Sequence, residues 1–473
     1  MNSSTRTIAI VGGGFSGTTV AANLLRTPNW GPARVVLIER TRGVARGIAY
    51  ADRDYKYLLN VPAGRMSANP REPLEFLEFA KRRLPYATAE DFLPRALYGE
   101  YLEASLASAE LSASADVQLE RMRAEVVEIR RGDDGVSLHL DTIDGRTIGA
   151  DDAVLALGNP APASLPMMDS LLSSPRYFED PWAAPSSCRA GETVLLIGTS
   201  LTMADVVAAT SVNCNDNVTI HAISRHGLVP PSQTAFRHAP CEGDSGALLR
   251  EASFSVRRLM RSIRRLADNT QRQGGDWREA VTFVRSIAPA LWGRLPLREK
   301  RRFLRHVRPY WDVHRHRLPQ ETLAQLEHMR LRGNLKIHAG RLLTFERSGD
   351  KVKVTWRERG GTKASKLLVD RVINCTGPEY NPHRSRDPLI HSLFAQRLAS
   401  ADPLGLGLRT SDNGALLDED GRPADNLFYV GPQLRADYWE ATAAAELRSH
   451  AERLALHLAD ATRRRAQQAC HGA

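Results

Sequence analysis

The chain writes one local grammar twice. Residues 8–25, "IAIVGGGFSGTTVAANLL", and residues 195–207, "LLIGTSLTMADVV", each carry a short apolar run into glycine and small residues and out into a stretch of helical periodicity. An apolar run bounded by glycine reads as a buried strand, and small residues behind it suit a helix packed closely on a sheet. A strand that hands over to a helix within a few residues starts a βαβ unit, and βαβ units build parallel sheets covered by helices. The two copies sit too far apart to share one such unit. At 473 residues the chain also exceeds one ordinary core.

In the first copy Gly12, Gly14 and Gly17 fit G-x-G-x-x-G, with Phe15 and Ser16 completing the turn. The first glycine permits the tight bend, the second lets the backbone approach a pyrophosphate, and the third lets helix and strand pack closely. Backbone N–H groups and the positive end of the helix then hold phosphates. The next strand, "ARVVLIER", ends on Glu39 and Arg40. A carboxylate there accepts hydrogen bonds from a ribose, so the context predicts dinucleotide binding. The second copy keeps Gly198, puts Ser200 at the second glycine position and Met203 at the third, and offers Thr202 or Asp205 to cap or line the helix start. At the end of its next strand stand Ser224, Arg225 and His226. These bind a 2′-phosphate by charge-assisted hydrogen bonds, which predicts NADPH over NADH. The bland alternative is that Arg225 is a surface arginine at a strand end.

Between and after these copies, "AEVVEIR" and "VSLHLDT" flank a "GDDG" turn and read as an antiparallel insertion before "DDAVLALGNP", which contains Gly158. Residues 159–190 read as a connection, 245–330 as mostly helical, and "LKIHAG", "LLTFERS" and "VKVTWRER" as strands. "LLVDRVINCTGP" repeats the strand ending at Gly377, "NLFYVGP" is a last strand, and 439–458 a helix. The predicted class is α/β: two Rossmann-like dinucleotide-binding domains, the second inserted in the first, with a mostly helical insertion. The expected division is 1–185 for the first part of an FAD-binding domain, 186–370 for an NAD(P)-binding domain with its insertion at about 245–330, and 371–473 for the return segment.

A net charge of +10, with many arginines in 250–317, raises nucleic acid as a partner, but arginines at helical spacing read better as a solvated face. The five cysteines show no C-x-x-C pair and no spacing for a metal site or disulfide framework, so free thiols are expected. No apolar stretch is long enough to cross a bilayer, and the N-terminal residues lead straight into a strand, so no membrane contact and a cytoplasmic location are expected. "WDVHRHRLP" does not read as a metal site, because histidines at i and i+2 diverge on a helix. Trp311, His314, His316 and Arg317 are instead candidates for binding an anionic substrate or the nicotinamide nucleotide, or for capping the helical segment.

The layout of these motifs resembles the two-dinucleotide-binding-domain flavoproteins. "GVARGIAY", "LLNVPAGRMSANP", "FLPRALYGEYL", "IGTSLTMAD", "WDVHRHRLP" and "WEATAAAELR" resemble a bacterial FAD/NAD(P)-binding family related to flavin-containing and N-hydroxylating monooxygenases. The resemblance implies FAD and NADPH as cofactors, with O2 and a small molecule as substrates. It places Asn60 beside the flavin, where it steadies a C4a-(hydro)peroxide, with Met66 and Ser67 on the same loop. It implies that Arg46, Gly47 and Tyr50 close over the flavin side, that Val126 meets the adenine, and that Gly431 faces the flavin. The hinge motif F-x-G-x-x-x-H of flavin-containing and Baeyer–Villiger monooxygenases is absent, and "YFEDPW" occupies its place. Three readings follow: an NADPH-dependent monooxygenase acting on nitrogen or sulfur, a flavin reductase without oxygenation, or a non-enzymatic redox-sensing flavoprotein. A homo-oligomer is left open.

Overall fold

Arg6–Val11 (β1) is buried along nearly its whole length, as a strand covered on both faces must be. In the computed structural model, which describes residues 5–41, 43–215, 217–233 and 241–471, the chain leaves β1 through the glycine turn into Phe15–Arg26 (α1) and returns as Ala33–Glu39 (β2), parallel to β1. Glu75–Lys81 (α2) and Arg95–Leu111 (α3) precede Val117–Arg123 (β3). Val126–Arg131 (β4), Leu138–Thr142 (β5) and Thr147–Ala150 (β6) form the expected antiparallel insertion, and Asp152–Leu155 (β7) rejoins the main sheet beside β1.

The second unit repeats the plan. Tyr177–Phe178 (β8) and Glu192–Ile197 (β9) lead through the second turn into Leu201–Asn213 (α4) and Val218–Ser224 (β10). Then come Ser245–Phe254 (α5), Val256–Arg272 (α6), Trp277–Ser286 (α7), Ala288–Arg294 (α8), Leu297–Arg302 (α9), Arg308–Arg315 (α10) and Gln320–Leu331 (α11), the helical insertion read from the sequence. Leu335–Ser348 (β11), Lys351–Glu358 (β12), Ala364–Val369 (β13) and Arg371–Asn374 (β14) close this unit. Pro388–Ala395 (α12), Ala415–Leu417 (β15), Pro423–Tyr429 (β16) and Ala444–His471 (α13) belong to the first.

Among the described residues the sheet orders are β15-β16-β7-β1-β2-β3 and β13-β12-β11-β10-β9-β14-β8. Both are parallel around the glycine turns and antiparallel only toward one side. Alternation along the strands builds a core on each face. Ile8 and Ile10 pack with Val20 and Leu24 of α1 and Leu454 and Leu458 of α13. Ala9 and Val11 face the other way, toward Ile129 and Leu140 of the small sheet and Leu389 of α12. In the second unit Val194 and Leu196 join Met203 and Val207 of α4, while Leu195 and Ile197 join Phe345 and Val354. Each fully buried Leu or Ile contributes about 1.5–3 kcal/mol relative to exposure.

Several expectations need adjustment. The units divide as Met1–Asp52, Val61–Pro160 and Tyr380–Ala473 against Arg53–Asn60 and Ala161–Glu379, so the crossings lie at 160/161 and 379/380 rather than at 185/186 and 370/371. The reason is that β8 pairs with β14, and Pro162 bridges Pro378, inside the second unit. "LKIHAG" and "LLTFERS" are one strand, β11, parallel to β10 over Leu335–Ala339 and antiparallel to β12 from Gly340 onward, with a bulge inside the antiparallel part. The last helix starts at Ala444, not at 439. Cys188 and Cys214 form a disulfide with Cα atoms 5.7 Å apart, which overturns the expectation of free thiols for that pair. Cys241 and Cys375 are free, and the Cys470 side chain lies outside the described part. Spacing could not show the pairing, because the β9–α4 unit itself brings the end of the helix back to the start of the strand.

Candidate nucleotide-binding sites

The two turns share the same backbone build at their first glycine. Gly12 donates its N–H to the Ile38 carbonyl of β2 at 2.8 Å, and Gly198 does the same to Ile223 of β10 at 2.8 Å. A Cβ on Gly12 (φ +105°) would stand 2.3 Å from the Ala156 carbonyl oxygen beyond β7, and one on Gly198 (φ +118°) 2.4 Å from that of Cys375 beyond β14. No other residue fits either place. A Cβ at Gly17 would lie 1.9 Å from the Gly12 carbonyl oxygen, so close helix–turn packing sets this glycine. At the matching position of the second turn Met203 is fully buried instead.

Both helices begin with their positive ends open. Gly14 caps α1 and Ser200 caps α4, with no side-chain cap bond among the described residues and no acidic residue in either first turn. Asp244, Ser255, Asp276 and Asp387 cap α5, α6, α7 and α12 through their side chains. Helices α2, α3, α8, α9, α10 and α11 also start without a side-chain cap, so the glycine turn is what sets α1 and α4 apart. Unneutralised N–H groups behind a glycine turn are an anion site. A Cβ on Gly14 would meet only Gly47, at 3.7 Å, so space remains over the turn for a pyrophosphate.

Glu39 stands at the end of β2 as expected and accepts the Gly13 N–H at 2.8 Å and the Thr41 N–H at 2.9 Å. Arg40 points away to Glu125, 3.7 Å off and largely exposed. The loop over the turn is fastened by Ala45, whose N–H reaches the Gly13 carbonyl at 2.5 Å. Ala45 holds a left-handed φ of +79° there, a cost of about 1–2 kcal/mol for an alanine. Arg46 forms a two-pronged bond with Glu103, at 2.7 and 3.0 Å, which raises its pKa. Tyr50 lies edge-on to Tyr98, with centroids 4.7 Å apart, and Phe15 stacks on the same ring at 6.3 Å. Burial pushes the Tyr50 phenol up to about 12 and Tyr98 well above the usual range.

Met66 is buried. Ser67 is engaged within its own loop, donating to the Glu72 carbonyl at 2.7 Å and accepting the Asn69 N–H at 3.1 Å, while Arg448 holds its carbonyl at 2.7 Å. Tyr101 accepts the Ala68 N–H at 2.8 Å and donates to Glu75 at 2.6 Å. Val126 opens β4 and is buried. Gly158 and Gly377 follow β7 and β14, each with open space where a Cβ would be. Gly431 caps the short helical turn Pro432–Ala436, all of it buried.

In the second unit the Ser224 hydroxyl lies 2.9 Å from that of Thr199 and accepts the Gly227 N–H at 2.9 Å. Thr199 also donates to the Leu228 carbonyl at 2.6 Å. Ser224 therefore shapes the loop that presents Arg225 and His226, a role for Thr199 that the motif did not announce. Arg225 is exposed and Thr202 half-buried in the first turn of α4. The His226 ring lies 5.4 Å from Tyr310. Burial, with Arg359 and Arg225 adding positive charge, lowers its pKa.

Asn60 is half-buried and ends Arg53–Asn60, a segment that packs with the second unit. Tyr57 meets Trp182 edge-on at 5.5 Å, Arg53 lies 4.8 Å over the same indole, and Tyr55 donates to Gln325 at 3.0 Å. "YFEDPW" is thus a docking point for this segment. Of the "HRHR" residues, His314 Nδ1 bonds the Tyr310 carbonyl at 2.7 Å and His316 Nδ1 the Asp312 carbonyl at 3.1 Å. Trp311 is buried, and the Arg317 guanidinium is buried and lowered to about 10 by desolvation and by Arg278, Arg315 and Arg285.

Residues 9–160 match the sequence profile of a family described as FAD-NAD(P)-binding. No curated protein matches the chain in sequence. Among solved structures it is similar to an ornithine N-hydroxylase of Kutzneria sp. 744, at 16% identity over 98% of this chain and 100% of that one with a TM-score of 0.64. It is also similar to L-lysine 6-monooxygenase from Pseudomonas syringae, at 15% identity over 96% and 99% with a TM-score of 0.64. A third is the FAD-bound cadaverine monooxygenase from Erwinia amylovora, at 13% identity over 95% and 94% with a TM-score of 0.62. Profile and fold together define an FAD-NAD(P)-binding domain within a doubly Rossmann-like α/β architecture. Within that architecture the chain shares the fold of the N-hydroxylating flavin monooxygenases over nearly its full length. No helix among the described residues is long and apolar enough to cross a membrane.

Proposed function

We propose that the chain is an FAD- and NADPH-dependent monooxygenase that places one oxygen atom of O2 on a nitrogen, or alternatively a sulfur, of a small substrate. The observation that carries the cofactor reading is the asymmetry of two otherwise equivalent turns: a carboxylate, Glu39, ends the strand after the first, and Ser224, Arg225 and His226 end the strand after the second. A carboxylate suits the ribose hydroxyls of FAD; the cationic set suits the 2′-phosphate of NADPH. The oxygenase reading is supported by the full-length likeness to ornithine, lysine and cadaverine hydroxylases.

In this reading the α1 N-terminus and Gly14 hold the FAD pyrophosphate, Glu39 the ribose, and Arg46, Gly47 and Tyr50 the loop above. Val126 lies at the adenine, Gly158 and Gly431 at the return strands, and Gly377 beside the second turn. Gly198, Ser200 and Thr202 hold the NADPH pyrophosphate. Asn60 is the polar group at the reacting edge, and Met66 is a further candidate contact to the flavin. Trp311, His314, His316 and Arg317 are the candidates for holding an anionic substrate or the nicotinamide nucleotide. FAD, when bound, stores the two electrons of NADPH and delivers them to oxygen. For an amine the balance is NADPH, a proton, O2 and R–NH2 giving NADP⁺, water and R–NHOH.

The test is NADPH-driven oxygen uptake by the purified protein over a panel of amines, diamines, amino acids and thioethers, with product identified by mass. Stoichiometric hydroxylamine or sulfoxide supports the reading. A second reading, a reductase that does not oxygenate, is favoured by the use of "YFEDPW" as a docking point where the monooxygenase hinge motif is absent. NADPH oxidation that yields only hydrogen peroxide with every substrate would select it.

A further inference from the structure

We infer that Arg359 is a third cationic contact for the 2′-phosphate of NADPH, acting with Arg225 and His226 to set nucleotide selectivity. The inference rests on the NADPH reading of the second turn and adds to it a residue from a distant hairpin. No strand-end motif points to Arg359, which lies 133 residues beyond His226 in the sequence.

Backbone pairing puts it there. Ser224, the last residue of β10, pairs with Ala339 of β11. The Ala339 carbonyl accepts the Arg359 N–H at 2.9 Å, just where β12 ends. Ser224, Ala339 and Arg359 therefore lie in one row across three strands, and two strand spacings amount to about 10 Å. Gly227 tightens the arrangement. A Cβ there would stand 3.1 Å from the Ala339 Cβ, so the loop carrying Arg225 and His226 is pressed against the same residue that anchors Arg359.

The electrostatics agree with that placement. Arg225 and Arg359 are both exposed, and neither forms an ion pair among the described residues. Arginines elsewhere on the surface do pair, as Arg34 with Glu120 and Arg121 with Glu110, each at 2.6 Å. The His226 Nδ1 is buried without a hydrogen-bond partner among the described residues. Its charged neighbours are Arg359 and Arg225, and Tyr310 of the helical insertion covers its ring. Three like-charged or chargeable groups converging from two elements repel one another, and an anion between them reverses that cost. A phosphate dianion has the charge and the acceptor oxygens to bond all three.

The experiment is calorimetric titration of the full-length, flavin-loaded protein with adenosine 2′,5′-bisphosphate and with 5′-AMP, for the native chain, Arg359→Ala, Arg359→Lys and Arg357→Ala. Arg357 is an exposed neighbour on β12 outside the proposed site. Arg359→Ala should weaken the bisphosphate about tenfold, the loss expected of one charge-assisted contact at a solvated site, and leave 5′-AMP unchanged. Arg359→Lys should recover part of the loss, and Arg357→Ala should bind both ligands as the native chain does. Equal bisphosphate affinity in native and Arg359→Ala protein overturns the inference and leaves the NADPH reading standing. Parallel loss of both ligands also overturns it, since that marks a structural role. A native protein that does not prefer the bisphosphate over 5′-AMP removes the NADPH reading and this inference together.

Discussion

Glu39 and Ser224 stand at matching strand ends and do different electrostatic work. Glu39 is fixed by the Gly13 and Thr41 N–H groups, which leaves a carboxylate held at the mouth of the first turn. Hydrogen bonds to a charged group are worth about 1.5–3 kcal/mol, so Glu39→Ala should lower FAD affinity about tenfold or more. Flavin retained after repeated desalting reads this directly; full occupancy in the variant would remove Glu39 from the ribose site. A purely structural residue gives a contrasting prediction. Arg6 and Asp152 pair at 2.6 Å at the first rows of β1 and β7, with side chains 8% and 2% exposed. Arg6→Met leaves Asp152 buried and unpaired and should cost about 3–5 kcal/mol in denaturant unfolding. The double variant with Asp152→Leu should regain much of that, and equal destabilisation in both would contradict the pairing. The glycines and Glu39 were legible in the sequence because their roles are local. Glu103 beneath Arg46, Thr199 beneath Ser224, and Arg359 were not, because each meets its partner only through the folded sheet.

Strand β11 shows what periodicity reads and what it misses at the scale of an element. Its two halves were legible as strands, but the change of pairing partner from β10 to β12 at Ala339 and Gly340 reads as an interruption when only the pattern is seen. Its parallel half brings His338 beside His221 of β10, Nε2 to Nδ1 at 2.9 Å, with the ring planes nearly parallel and Trp356 at 4.8 Å from His338. Burial pushes His221 down to about 4, with His338 and Lys336 adding to the shift, and lowers His338, against which Glu358 acts. In the unfolded chain these imidazoles take up protons near the ordinary value of about 6.5. Between that value and about 4 the unfolded state binds more protons, so stability falls as pH drops through this window and is complete above it. Thermal unfolding from pH 7 to 4 should show the loss, and His221→Gln should flatten it. Parallel curves for native and variant protein would contradict the assignment. The disulfide lies at this scale too: its cysteines, 26 residues apart, carry no spacing signal because the closure comes from the β9–α4 turn of chain.

For the whole molecule, the class of fold, the doubled turn and the helical insertion followed from pattern alone, since strand, glycine turn and helix are a local code repeated at large separation. Where the chain crosses from one unit to the other was less legible. The short strand β8 and the Arg53–Asn60 segment join the second unit through contacts with β14, Trp182 and Gln325 that no local pattern encodes. The chemistry proposed for the molecule depends on two nucleotides of different kinds bound to turns of the same build, FAD at Gly12–Gly14–Gly17 and NADPH at Gly198–Ser200. Anaerobic mixing of the flavin-loaded protein with NADPH or NADH, followed by the visible flavin absorbance, tests this most directly. The account predicts that NADPH bleaches the bound flavin at least about tenfold faster than NADH at equal subsaturating concentration. A protein that takes up no flavin, or whose flavin stays oxidised in NADPH, would contradict it.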